Sequence, residues 1–224
     1  MGRVPTLSAL VVAAVAVSAC GSGHAKHATT PTTGSAARTC QNVAAPAPRG
    51  PQHLSRPQLR LNPAKTYTVR MVTNCGEIDI RLNVAQAPKT AASFASLVRR
   101  HFYDHLTFHR VVPGFVIQGG DPAGNGSGGP GYRVIEKPPS DAKYTRGVVA
   151  MAKTATEAPG SSGSQFFMVI AADAQLPPDY AVVGNVVRGD GVLSRIAAIP
   201  TGGGPTGEQP QLPVVIEHAT LVVG

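Results

Sequence analysis

The stretch Phe108-His-Arg-Val-Val-Pro-Gly-Phe-Val-Ile-Gln-Gly-Gly-Asp121 decides how the rest of the chain is read. Two short apolar runs, Phe108–Val112 and Phe115–Gln118, are separated by Pro113 and Gly114 and closed by Gly119-Gly-Asp121. That punctuation suits short strands rather than a helix. Arg110 stands in the first run between apolar neighbours, where a guanidinium is expected to reach a pocket rather than bulk water. Its bland alternative is a strand-edge charge whose stem packs on the surface.

Outward from this stretch the same texture recurs. Tyr67–Thr73 and Glu77–Leu82 alternate with period two around Asn74-Cys-Gly76, which predicts a hairpin with one buried face. Pro88 at a first helical position, with Phe94, Leu97, Val98 and His101 on one stripe, predicts a helix of about fourteen residues. Gly147–Ala152, Gln165–Ile170 and Ala181–Val187 read as further strands. A second helix is expected over Val192–Ile199, stopped by Pro200, before a last strand at Val214–Val223. Many short strands and two helices predict a mainly β fold, an antiparallel sheet closed as a barrel.

The N-terminal third differs. Residues 1–76 hold eight basic residues and no acid, whereas residues 77–224 hold 12 of each sign, so the whole formal excess of +8 lies in the N-terminal third. A balanced body without a basic face argues against nucleic acid as a partner. A basic tether beside an anionic membrane or wall polymer accounts for the excess. Arg3, an apolar run from about Leu7 to Val17 and small residues before Cys20 read as a secretory signal, too short to span a bilayer. Val17-Ser-Ala-Cys20-Gly21 looks like a bacterial lipobox, which implies a diacylglyceryl group and palmitate on Cys20. The alternative is an ordinary cleaved signal with a coincidental cysteine. The expected organisation is therefore a lipoprotein signal peptide (1–19), a lipid-anchored flexible tether (20–64) rich in Ala, Pro, Thr, Gly and Arg, and one domain (65–224). His24 and His27 make a weak metal pair and are assigned to the tether, so no metal is expected. With Cys20 assigned to lipid, Cys40 and Cys75 remain. Outside the cytoplasm such a pair tends to oxidise, so a disulfide and two free thiols both stay open.

Two motif matches carry nothing. Gly124-Asn-Gly-Ser-Gly-Gly129 satisfies a dinucleotide fingerprint literally, but Pro130 and Gly131 follow where a helix should open. Gly160-Ser-Ser-Gly-Ser164 never centres a serine for a nucleophile elbow. No cofactor is expected.

The Phe108–Asp121 stretch is similar to the signature segment of the cyclophilin family of peptidyl-prolyl isomerases, and Gly163-Ser-Gln-Phe-Phe167 resembles its second signature. The order agrees as well, from His101-Phe-Tyr-Asp104 through the Gly-rich loop to Tyr132, Gly147-Val-Val-Ala-Met-Ala152 and Val182-Val-Gly184. The resemblance covers about Thr66 to Val223. It implies a closed eight-stranded antiparallel β-barrel capped by two α-helices, and an enzyme that isomerises Xaa-Pro bonds with no metal, nucleotide or covalent intermediate.

It also implies a site. Arg110 takes the catalytic role, donating to the prolyl nitrogen as amide resonance is lost, and Gln118 orients it and bonds the substrate backbone. Phe115, Val116, Phe167 and Leu176 form the wall for the proline ring. Met151 and Ala152 lie along the peptide groove, with Gln165 and Tyr180 also on the substrate. Without the resemblance these apolar positions read as ordinary core, and Phe108 and His109 read as structural. Three departures stand out: Gln175 replaces a common Trp, which argues against tight cyclosporin binding; Tyr180 replaces a pocket His; Lys153 replaces a backbone-contacting Asn. The leading reading is an anchored, monomeric, extracytoplasmic isomerase acting on proline-containing peptides and unfolded exported proteins. A binder of proline-containing segments on the same barrel and a wall-associated spacer are the alternatives.

Overall fold

In a computed structural model the described residues are 39–224. The expected signal peptide at 1–19, Cys20, His24, His27 and the first part of the expected tether lie outside them. The chain runs β1 (Tyr67–Thr73), β2 (Gly76–Leu82), α1 (Pro88–Arg99), β3 (Leu106–Thr107), β4 (Arg110–Val112), β5 (Val116–Gly119), β6 (Val134–Ile135), β7 (Val148–Met151), β8 (Ser161–Ser162), β9 (Phe166–Val169), β10 (Val182–Arg188), α2 (Asp190–Ala197) and β11 (Val215–Val223). Nine strands form one antiparallel sheet in the order β3-β11-β1-β2-β10-β7-β9-β5-β4, and β6 pairs with β8 separately.

The sheet's two edges, β3 and β4, are consecutive in the chain with only Phe108 and His109 between them. The sheet therefore curls until its edges meet through a covalent link. Counted as one interrupted strand, β3 and β4 bring the total to the eight expected. The interruption matters for function. In an unbroken strand Phe108 and Arg110 would share a face. Instead Phe108 is buried in the barrel interior with Val111, while Arg110 lies on the opposite face.

The interior is filled by inward residues of alternate positions, among them Val69, Met71, Ile78, Ile80, Val111, Ile117, Val149, Phe166, Met168, Val183 and Ile216. α1 adds Phe94 and Leu97, and α2 adds Leu193 and Ile196. Pro88 opens α1, whose missing N–H would be unpaired there anyway. The helix ends two residues before the expected His101, which takes the left-handed conformation (φ 55°), and the Phe102 amide donates back to the Leu97 carbonyl at 3.0 Å. α2 starts two residues earlier than the apolar pattern suggests, because Asp190 occupies the first turn, where a carboxylate suits the helix dipole.

The tether assignment needs correction over its described part. Residues 39–62 form a strap against the domain. The Gln41 amide donates to Asn74 O (2.8 Å), Arg49 N to Pro122 O (2.7 Å) and Leu54 N to Pro130 O (2.8 Å). Cys40 is disulfide-bonded to Cys75 in the β1–β2 turn, and Leu54, Leu59 and Leu61 pack on the core. An extended strap makes contact through isolated anchors and has no 3.6- or 2-residue period. Composition alone therefore resembles that of a linker.

Candidate active site

The site grows out of one register. Arg110 on β4 is opposite Gln118 on β5, Gln118 is opposite Phe167 on β9, and Phe167 is opposite Ala150 on β7. These four residues form a row across the outer face of the sheet. One residue along, Val111, Ile117, Met168 and Val149 form the matching row inside the barrel, each with no exposed surface. A second outer row, Val112, Val116 and Val169, adds an apolar floor.

Above this floor is a cavity of about 160 Å³ lined by Arg110, Phe115, Val116, Gln118, Ala152, Lys153, Phe167, Leu176 and Tyr180. A dry cavity of about 150 Å³ accommodates a benzene-sized ring, so the space suits one small apolar ring. Phe167 and Tyr180 meet edge to face at 5.4 Å. Tyr144, which the sequence did not single out, supports both from beneath: its hydroxyl donates to Tyr180 O (2.7 Å) and accepts from Tyr180 N (3.0 Å). Burial pushes the Tyr144 phenol up from its ordinary range, so it stays protonated as a strut.

The polar side of the cavity is a chain of donors. Arg110 Nη1 donates to Gln118 Oε1 (3.3 Å), Gln118 Nε2 to Gln165 Oε1 (3.1 Å), and Gln165 Nε2 to the carbonyls of Gly126 and Gly128 (2.8 Å each). The loop presenting those carbonyls is folded around buried Asp121, whose carboxylate accepts from the amides of Ala123, Asn125 and Gly126. Gly120 permits this turn with φ +83°; a Cβ there would be 2.5 Å from Ser164 O. Gln165 itself lies in an adjoining groove of about 340 Å³ that shares Gln118, Ala152 and Lys153 with the ring-sized cavity. Lys153 places its ammonium 5.5 Å from the Tyr180 ring centre.

Of the residues anticipated, Arg110, Gln118, Phe115, Val116, Phe167, Leu176, Tyr180 and Ala152 are brought together and Gln165 is linked to them. Met151 is not. It is opposite Phe166 and packs inside the barrel, because on β7 the inward positions are Val149 and Met151 and the groove side falls to Ala150 and, just past the strand's end, Ala152. Gln175 is exposed and left-handed (φ 52°) beside Leu176, without lining the cavity. Glu208 was missed as well. Its carboxylate grips Arg110, accepting from Nε at 2.6 Å and Nη2 at 3.3 Å, and the pair holds the carboxyl below its ordinary range. An acid 98 residues away in a Gly- and Pro-rich loop leaves no local signal. Among the described residues no three or more His, Cys, Asp or Glu gather as a metal site.

An apolar slot for one ring beside a fixed guanidinium, on the outer wall of a curled β sheet, has the chemistry of a prolyl-bond isomerase: ring capture, with a donor held where a lone pair can appear. The comparisons define the family. Residues 68–221 match the family described as cyclophilin type peptidyl-prolyl cis-trans isomerase. The chain is 39% identical over 176 residues to peptidyl-prolyl cis-trans isomerase B of Streptomyces anulatus, covering 70% of this chain and 98% of that protein. It is 35% identical over 178 residues to peptidyl-prolyl cis-trans isomerase A of Mycobacterium tuberculosis, covering 71% and 94%. A cyclophilin-type isomerase of Cryptosporidium parvum, crystallised in the presence of the dipeptide Ala-Pro, matches with a TM-score of 0.63 and 30% identity over 69% of this chain and 98% of that one. The chain belongs to the cyclophilin-type peptidyl-prolyl cis-trans isomerase family, and it is an enzyme of that type.

Proposed function

We propose that this isomerase works outside the cytoplasm as a monomer on exported, unfolded proteins, held to the cell membrane by lipid on Cys20. The observation that carries this reading is the Cys40–Cys75 disulfide. Structural disulfides persist in oxidising compartments and are rare in a reducing cytosol. The signal-like start and the lipobox-like tetrad before Cys20 support the same location. An unfolded client is slowed by its Xaa-Pro bonds, whose rotation faces a barrier of ~20 kcal/mol.

For the chemical step, the proline ring enters the slot between Phe115, Val116, Phe167, Leu176 and Tyr180. Arg110 donates a hydrogen bond to the prolyl nitrogen, whose lone pair is free only when the amide twists. A donor that meets its acceptor only in the twisted state lowers the barrier rather than tightening substrate binding. Gln118 fixes one edge of the guanidinium. No proton is transferred, and no bond other than the rotating one changes.

Two measurements test this. In NMR exchange on a short Ala-Pro peptide, full-length protein accelerates isomerisation and folded Arg110→Ala is slower by about 10²-fold or more. Retained peptide affinity with no acceleration by the parent would leave a binder. In cells, labelled palmitate enters the parent but not Cys20→Ser, and the domain is cleaved by protease added outside the membrane. An unlabelled, protease-shielded parent defeats the proposed location.

A further inference from the structure

We propose that Glu208 is a positioning residue for the reaction, acting through Arg110. This inference rests on Arg110 being the donor. A guanidinium offers five N–H groups. Glu208 takes the one on Nε and one on Nη2, and Gln118 takes one on Nη1, so among the described residues one N–H on each Nη remains for a substrate. The two anchors approach opposite edges of the planar group, and together they set its plane as well as its place. Gln118 alone would leave a side chain on a sheet edge free to rotate about that single contact.

The carboxylate is itself held by backbone. Glu208 O accepts from Val111 N at 2.8 Å, so the loop lies along the free edge of β4 beside Arg110. The neck of the loop is closed by the Thr201–Pro210 bridge and by Gly202 N donating to Gln209 O at 3.0 Å. Position is therefore fixed by main chain while the carboxylate does the gripping. A side chain rich in rotamers that must be immobilised for each turnover costs rate, and fixing it beforehand recovers about tenfold.

Four other polar groups border this pair. His109 precedes Arg110 and faces a cavity that Thr206 and Gln209 also line. Lys153 stands across the proline slot. Burial keeps His109 from protonating in its ordinary range. Substituting Glu208 leaves all four in place, so any titration that disappears with the substitution belongs to Glu208.

The experiment compares full-length parent, Glu208→Gln, Glu208→Ala, Arg110→Ala and the double variant Arg110→Ala/Glu208→Gln by NMR exchange on an Ala-Pro peptide, with folding checked by far-UV circular dichroism. Glu208→Gln is expected to lower kcat about tenfold with peptide affinity within about twofold. The parent's rate stays level through neutrality and falls only below the ordinary carboxylate range as Glu208 protonates, and that step is absent in Glu208→Gln. The double variant is no slower than Arg110→Ala alone. The proposal is overturned by a Glu208→Gln rate within twofold of the parent, by a loss that lies wholly in peptide affinity, or by a further loss in the double variant. Glu208→Gln matches the native side chain in size and carries the test should Glu208→Ala not fold. An inactive parent, or an Arg110→Ala variant as fast as the parent, defeats the reading of Arg110 instead.

Discussion

Phe166 and Phe167 are consecutive on β9 and work in different media. Phe166 has no exposed surface and sits among Phe94, Tyr103 and Phe108, with ring centres 5.4 to 5.9 Å apart in edge-to-face contacts. Phe167 faces outward, against Tyr180 and the ring-sized cavity. The same split runs through β5, where Ile117 is inside and Gln118 outside, and through β7, where Met151 is inside and Ala150 outside. Three short strands thus carry stability on one face and recognition on the other, separated only by the thickness of a sheet. Adjacent residues in a signature motif need not share a role; side-chain period decides.

Truncating each phenylalanine separates the two faces. Phe166→Ala removes a ring that close-packed neighbours cannot replace and is expected to cost about 3–5 kcal/mol in urea unfolding. Below its melting temperature it should keep kcat/KM within about threefold of the parent. Phe167→Ala borders an existing cavity and should cost less stability, about 1–3 kcal/mol, but raise KM for an Ala-Pro peptide at least about tenfold. Equal losses of peptide affinity in both variants would show that the faces are not independent.

The strap offers a second contrast, between a region that braces the domain and the row that does chemistry. Cys40 and Cys75 are 35 residues apart, and closing such a loop restricts the unfolded chain by about 3–4 kcal/mol on the chain-entropy account. Dithiothreitol, or Cys40→Ser with Cys75→Ser, should lower unfolding free energy by up to that amount. Peptide affinity should be unchanged, because Arg110, Gln118 and Phe167 are held by the sheet. The strap also bonds the carbonyls of Pro122 and Pro130, on the loop whose Gly126 and Gly128 carbonyls hold Gln165. A fall in affinity on reduction would mean that the strap braces the site through that loop.

Legibility followed periodicity and local contact. The hairpin at 67–82, the runs that become β5, β7, β9, β10 and β11, and both helices could be read from alternation, Pro88 and Pro200, with ends displaced by one or two residues. The pocket wall came from family resemblance, since Phe115, Val116 and Phe167 read otherwise as core. Four things were hidden for physical reasons. Met151 was placed by motif adjacency against its own strand's alternation. Glu208 reaches Arg110 only through tertiary folding of a Gly- and Pro-rich loop. The strap has no repeat, because Leu54, Leu59 and Leu61 contact the core singly. The break between β3 and β4 was also invisible, as Phe108–Val112 reads as one apolar run.

His109 sits at that break, where the chain passes from the inward Phe108 to the outward Arg110, and it belongs to neither face. Neither ring nitrogen has a hydrogen-bond partner among the described residues. Burial lowers its pKa from the ordinary 6.5, and the Asp121 carboxylate opposes this only in part. In the unfolded chain the imidazole takes its proton as pH falls through about 6.5, whereas in the folded chain it stays neutral to lower pH. Between those two values the unfolded state binds more protons, so stability rises with pH and is lost on acidification. One proton limits the slope to about 1.4 kcal/mol per pH unit. Urea midpoints from pH 7.5 down to 5 should therefore fall for the parent relative to His109→Leu, and the gap should close above pH 7. Parallel curves would mean that the ring finds a partner in solution, and that the junction between the two faces is wetter than its packing implies.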